Sequence, residues 1–120
     1  MSLIFLKLGG SLITHKDHPM SANTDVIERI AGEIQDVRIK NPDMRIVIGH
    51  GSGSFGHYIA TKNRTLDKPL KTREQWEGFS EVGYAAGALS HIVLTELINK
   101  GLPVVRFPPS AITKCADGDI

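Results

Sequence analysis

Two short apolar runs, each followed by glycine, alternate with longer segments of helical periodicity. The first run, Leu3–Leu8, stops at Gly9-Gly10, and the second, residues 45–49, opens directly into a glycine-rich octapeptide. Short continuous apolar runs are typical of strands in a parallel sheet that is buried on both faces. A third run, residues 102–107, predicts another strand that Pro108-Pro109 closes.

The segments between these runs predict helices. Residues 25–39 carry apolar positions at helical spacing, and Asp25 followed three residues later by Glu28 matches a capping box. A short helix is expected to continue from the octapeptide to Lys62. A long helix is expected over residues 72–99, with a buried stripe marked by Trp76, Phe79, Val82, Ala86, Leu89, Ile92, Val93 and Leu97.

This order predicts an α/β domain with a mostly parallel sheet sandwiched by helices in three αβα layers. The chain has 120 residues, of which 41% are hydrophobic and 22% charged, enough for a packed core. Its net charge of +1 argues against a general attraction to nucleic acid or to a membrane surface. Cys115 is the single cysteine and excludes an internal disulfide. With neither a signal peptide pattern nor an apolar run of about 18 residues, the chain is expected to be cytoplasmic.

The first glycine turn has the composition of a phosphate site. Glycines let backbone N–H groups approach an anion closely, and ligands of parallel sheets bind beyond the carboxyl ends of the strands. Lys7 precedes Gly9 and Gly10 and can neutralise phosphate oxygens. The alternative is an ordinary tight turn with Lys7 as a solvated strand residue.

The second glycine turn, His50-Gly51-Ser52-Gly53-Ser54-Phe55-Gly56-His57, is the more specific signal. It lies between a strand and a helix start, where free N–H groups and the helix dipole favour an anion. We expect His57 to reach back over a bound phosphate, whereas a structural role for His50 is as plausible as a functional one. The bare glycine spacing also matches a dinucleotide fingerprint, but no acidic ribose ligand follows at the expected distance.

Residues 7–14, Lys16 and the octapeptide together resemble the amino-acid kinase superfamily, and within it most closely the isopentenyl phosphate kinases. The resemblance implies ATP- and Mg²⁺-dependent phosphorylation of a small phosphorylated substrate, isopentenyl phosphate, to its diphosphate. It implies catalytic roles for Lys7, Lys16 and His57, and no protein ligand to the metal. By position, the ATP phosphates would lie against Lys7, Gly9, Gly10, Ser11 and Gly53, and the acceptor phosphate against Gly51, Ser52 and His57.

The resemblance covers the N-terminal half of such a kinase, so residues 1–120 are expected to form its acceptor- and phosphate-binding part. The C-terminal nucleotide-binding half, including the adenine-binding residues, would lie beyond Ile120. Ser52 replaces a glycine of the family pattern and fits only if its φ is not strongly positive. The alternatives are a fosfomycin-type kinase, an acylamino-acid kinase or a non-catalytic anion-binding module; a homodimer is compatible with each.

Overall fold

The computed structural model describes residues 2–67 and 69–116. The elements follow the order β1 (Leu3–Leu8), α1 (Gly10–Ile13), α2 (Thr24–Lys40), β2 (Arg45–His50), α3 (Gly53–Lys62) and α4 (Arg73–Asn99), with a final 3-10 turn over Pro109–Ala111. The sequence predicted all of these except the final 3-10 turn and α1, a single turn that begins at the second glycine of the first pair.

The two strands form a parallel pair, as the sequence predicted for their type. β1 and β2 run in register from Leu3 opposite Arg45 to Leu8 opposite His50. Because parallel strands need a crossover connection, α1 and α2 lie between them in the chain. The α/β class with a parallel sheet is therefore confirmed.

One face of this sheet forms the core. Leu6, Ile46 and Ile48 pack against a cluster of buried residues from β1, from all four helices and from the segment after α4. The cluster comprises Leu8, Ile13, Ile27, Ala31, Ile34, Phe55, Ala85, Leu89, Val93, Leu97 and Leu102. Since side chains alternate along a strand, the other face carries Leu3, Phe5 and Val47. These are 56%, 75% and 46% exposed, so among the described residues the expected burial on both faces holds on one face only.

The two long helices begin at side-chain caps. The capping box predicted at Asp25 is wrong, because α2 is capped by Asn23, whose side chain accepts a hydrogen bond from the Val26 N–H at 3.4 Å. Asp25 lies instead in the first turn, where its charge suits the helix dipole. At α4 the expected start is confirmed: Thr72 and Gln75 form a reciprocal capping box.

The buried stripe of α4 differs from the predicted one in its first half. Trp76 and Phe79 are exposed and stack edge to face with centroids 5.9 Å apart. Gly78 is buried in their place, and a Cβ added there would collide with the Asn63 side chain. Close approach at a glycine, rather than burial of a large aromatic, thus packs this end of α4 against the residue that follows α3.

The strand predicted over residues 102–107 is not formed. The Leu102 N–H donates to the Leu97 carbonyl at 3.1 Å, closing the end of α4, and the following residues pair with neither strand. Val105 and Phe107 are 78% and 71% exposed. An apolar run becomes a strand only when a partner strand takes up its backbone hydrogen bonds, and among the described residues neither β1 nor β2 does so for this run.

Candidate active site

Both glycine turns lie at the same edge of the sheet. Parallel pairing ends with Leu8 opposite His50, and the Gly51 N–H extends it by donating to the Leu8 carbonyl at 3.0 Å. From this edge β1 passes through Gly9 into α1, and β2 passes through Gly51 and Ser52 into α3. The sheet therefore brings together the two sequence motifs that were predicted to bind phosphate.

The two turns touch through their backbones. A Cβ added at Gly10 would lie 2.5 Å from the Gly53 nitrogen, and one added at Gly51 would lie 3.0 Å from the Gly10 nitrogen. Gly53 also has φ of +49°, a left-handed conformation that side chains disfavour. Glycine is needed at these positions because any side chain would separate the turns.

The turns present backbone donors that the protein leaves unused. Among the described residues, no acceptor is found for the N–H groups of Gly9, Gly10, Ser11, Ser52 and Gly53. An unpaired N–H group needs a partner in water or in a ligand. Five such donors at one sheet edge, beside the N-terminus of α3, form a surface suited to anionic oxygens.

Ser52 meets the condition set for it from sequence. Its φ of −79° and ψ of −17° lie in the right-handed helical region, which any residue adopts. Its side chain lies against Gly56, where an added Cβ would be 2.5 Å from the Ser52 Oγ. The replacement of glycine by serine is accommodated by a glycine one turn later in α3.

The side chains of Lys7, Lys16 and His57 are exposed, and no ion pair of theirs is found among the described residues. Lys7 is paired across the sheet with Gly49, next to the first turn. Lys16 lies in the loop that an isolated bridge between Thr14 and Ala22 closes.

The two histidines of the second turn differ in their surroundings. His57 is the fifth residue of α3 and is exposed. The His50 Nδ1 atom lies 3.0 Å from the Gly51 carbonyl oxygen, so this ring can be held by the backbone of its own turn. His50 is therefore explained by a structural role, whereas His57 remains available to a ligand.

Two further residues of this site, Thr14 and Ser54, had no role predicted from the sequence. They are the buried polar side chains of the described chain, 3% and 9% exposed, and both lie between the turns. Their hydrogen bonds join segments 33 and 40 residues apart. Only their position immediately beside the glycine motifs could have drawn attention to them.

The chain belongs to the amino acid kinase family, whose model matches residues 2–119. This membership confirms the resemblance to the amino-acid kinase superfamily that the two glycine motifs indicated.

Within the family, the chain is 32% identical to the isopentenyl phosphate kinase of Methanocaldococcus jannaschii, over 96% of this chain and 46% of that protein. It is 35% identical to that of Methanothermobacter thermautotrophicus, over 98% and 44% respectively. A crystal structure of an isopentenyl phosphate kinase superposes with a TM-score of 0.81 and 36% identity, covering 92% of this chain and 45% of that one. The chain thus spans less than half the length of these relatives.

Among the described residues, no group of three or more His, Cys, Asp or Glu side chains is placed to hold a metal ion. Within the same residues, no helix has both the length and the apolar character needed to cross a membrane.

Proposed function

We propose that this chain is the phosphate-binding part of a kinase that transfers the γ-phosphoryl group of ATP to isopentenyl phosphate, yielding isopentenyl diphosphate. The observation that carries the proposal is the contact between two glycine turns with five unused backbone donors at one sheet edge. Two phosphate groups bound there would lie next to each other, as the phosphoryl donor and the phosphoryl acceptor must. The names of the relatives support the choice of acceptor.

In this proposal the first turn receives the ATP phosphates. Lys7, Gly9, Gly10 and Ser11 would hold them, with Gly53 contributing from the second turn. Among the described residues, the N–H groups of Gly9, Gly10, Ser11 and Gly53 have no partner, and the exposed Lys7 side chain adds a positive charge. Residues that bind adenine are proposed to lie in polypeptide outside these 120 residues.

The second turn is proposed to receive the acceptor phosphate. The Ser52 N–H and the imidazole of His57 are proposed as its donors, and Gly51, whose N–H already donates to the Leu8 carbonyl, would line the site. Beside this turn, the Val82 side chain lies 4.0 Å from where a Cβ of Gly56 would be. The apolar tail of the acceptor is proposed to run along this side of α4, past Val82 and Phe79.

The chemistry asks for positioning and charge neutralisation rather than for a general base. A phosphate monoester has its second pKa at about 6, so at neutral pH its oxygen is already a nucleophile. That oxygen would attack the γ-phosphorus as the bond to the β–γ bridging oxygen breaks, releasing ADP. Lys16 is proposed to stabilise the transferring group, whose charge spreads over its equatorial oxygens.

Mg²⁺ fits this site only as an ion bound by the phosphates of ATP. The described residues offer no cluster of carboxylates, and Mg²⁺ commonly keeps several waters and binds substrate phosphates. When bound it would neutralise charge on the β- and γ-phosphates. The protein residues that act on the same charge are Lys7 and Lys16.

A coupled assay for ADP release, with isopentenyl phosphate, fosfomycin and an acylated amino acid as acceptors, tests the proposal. We expect release that depends on isopentenyl phosphate. We expect Lys16→Ala to lower kcat by roughly 10²-fold, the scale on which loss of one transition-state contact acts. His57→Ala should raise the KM for the phosphorylated acceptor more than that for ATP.

Each assignment has its own contrary result. Release that depends on another acceptor would replace the substrate, and an unchanged kcat in Lys16→Ala would remove that lysine from the mechanism. Equal changes in both KM values would count against His57 as an acceptor ligand. Calorimetry that compares ATP with inorganic tripolyphosphate, on the protein that includes the adenine-binding polypeptide, distinguishes a kinase from a module that binds anions without turnover, because only the kinase gains affinity from the nucleoside.

A further inference from the structure

The hydroxyl of Thr14 joins the two glycine turns. Thr14 is 3% exposed, its Oγ1 donates to the Gly10 carbonyl at 2.7 Å and accepts from the Ser54 N–H at 3.0 Å. A hydroxyl has one proton to donate, and here the first turn accepts that proton while the hydroxyl oxygen accepts a hydrogen bond from the segment after the second turn. The Ser54 N–H belongs to the first turn of α3, so a residue of the other motif caps this helix.

The Thr14 hydroxyl is closely packed against Gly53 and Gly10. A Cβ added at Gly53 would collide with the Thr14 Oγ1 and would lie 2.6 Å from the Gly10 carbonyl oxygen. The Thr14 side chain thus occupies the space beside the left-handed Gly53 residue. Because the backbones are already in contact, the spacing of the turns depends on the hydrogen bonds that hold them there.

A second buried hydroxyl ties the Lys16 loop to the same place. The Ser54 Oγ accepts from the Ser21 N–H at 3.3 Å and donates to the Ser21 carbonyl at 3.4 Å, and the Met20 N–H donates to the Ser54 carbonyl at 3.3 Å. The loop that carries Lys16 is therefore anchored to α3 at its far end, by residues 20 and 21.

We propose that Thr14 and Ser54 form a hydroxyl clamp that positions the two phosphate loops and Lys16 relative to one another for phosphoryl transfer. The inference rests on the proposed function and assigns two positioning residues to it. Neither side chain is free to touch a substrate, because each is buried with its hydroxyl engaged. Their effect is on the alignment of donor, acceptor and lysine, so it should appear in kcat more than in either KM.

Thr14→Val and Thr14→Ser are the matched pair, since valine keeps the shape without the hydroxyl and serine keeps the hydroxyl. We expect Thr14→Val to lower kcat by about tenfold or more, in line with the sensitivity of transfer to misplacement of about 1 Å. Both KM values should change less than about threefold, a small loss beside that in kcat. Thr14→Ser should recover most of the lost kcat. Wild-type kcat in Thr14→Val, or equal losses in the two variants, would overturn the proposal.

Hydrogen exchange at the Ser54 amide reports the clamp without any substrate. The exchange of this amide should accelerate in Thr14→Val and stay slow in Thr14→Ser, because only valine removes its acceptor. Unchanged protection in Thr14→Val would contradict the contact.

Ser54→Ala provides a second variant in case Thr14→Val does not fold. It keeps the amide of residue 54 bonded to Thr14 and the backbone bond from Met20, but it removes both hydroxyl bonds to Ser21 and so loosens the Lys16 loop. We expect kcat to fall while binding of inorganic tripolyphosphate, followed by the amide resonances of Gly10 and Gly53, stays as in wild type. A wild-type kcat in Ser54→Ala would refute the role of the second hydroxyl.

Tripolyphosphate binding also keeps the clamp testable apart from the kinase assignment. If the wild-type protein transfers no phosphoryl group to any acceptor, the proposed function fails. The clamp then still requires that tripolyphosphate shift the Gly10 and Gly53 amides with one common Kd in wild type, and that the Ser54 amide exchange faster in Thr14→Val than in wild type. Two different Kd values in wild type, or unchanged Ser54 exchange in Thr14→Val, would reject the clamp itself.

Discussion

Substituting Gly10 by alanine tests the contact between the glycine turns most directly. The added methyl would lie 2.5 Å from the Gly53 nitrogen and 2.7 Å from its Cα, whereas ordinary contact begins near 3.4 Å. The turns would have to separate by about 1 Å, and both atoms in the way are backbone, so no side chain can simply rotate aside. Forcing an extra methyl into a packed site costs about 1–3 kcal/mol.

Gly9→Ala is the matched control for this change. Gly9 has φ of −62° and ψ of 139°, and a Cβ there would meet no atom within 4 Å. The two variants therefore add the same methyl to adjacent residues, with and without a collision. In thermal unfolding of the 120-residue chain, Gly10→Ala should lower the midpoint by roughly 3–12 °C. Gly9→Ala should stay close to wild type.

Binding of inorganic tripolyphosphate gives the second measurement on the same pair. Separated turns would no longer present their donors to one anion, so Gly10→Ala should weaken binding even below its unfolding temperature. An unfolding midpoint for Gly10→Ala equal to that of Gly9→Ala would refute the reasoning, since it would mean that the turns part without cost. Wild-type tripolyphosphate affinity would show that their contact is not what binds the anion.

Two further predictions concern the rest of the fold. The hydrogen bond from Lys100 and its positive charge lower the pKa of Glu28 in the folded chain. The pair therefore stabilises the protein at pH values above the unfolded pKa of Glu28, and this stabilisation is lost as the pH falls through the folded pKa. Glu28→Gln should therefore lower the unfolding midpoint at neutral pH but not in acid. Glu33→Gln, which removes an ion pair within α2, is the control. A difference between Glu28→Gln and wild type that is equal at both pH values would contradict the linkage. Ile13→Ala should lower the free energy of unfolding by about 2–5 kcal/mol because Ile13 is fully buried. Phe5→Ala should lower it by no more than about 0.5 kcal/mol because Phe5 is 75% exposed. Equal losses in chemical denaturation would show that the face carrying Phe5 is covered.

Local sequence determined the elements that carry the site. Apolar runs at residues 3–8 and 45–49 predicted the two strands, and the glycines after them predicted two turns, the second of which leads into α3. Thr72 with Gln75 determined the start of α4, because a cap depends only on residues three apart. The parallel arrangement followed from the helical segments between the strands, since a short turn cannot join parallel neighbours.

Tertiary structure decided which residues of these elements meet. The run at residues 102–107 has the composition of a strand but no partner, and Trp76 has the size of a core residue but lies outward while Gly78 packs inward. The contact of Gly10 with Gly53 and the hydroxyl bonds of Thr14 and Ser54 join residues 33 to 43 positions apart. No local pattern encodes such pairs, because their energies depend on distances that exist only after the sheet has brought the two turns to one edge.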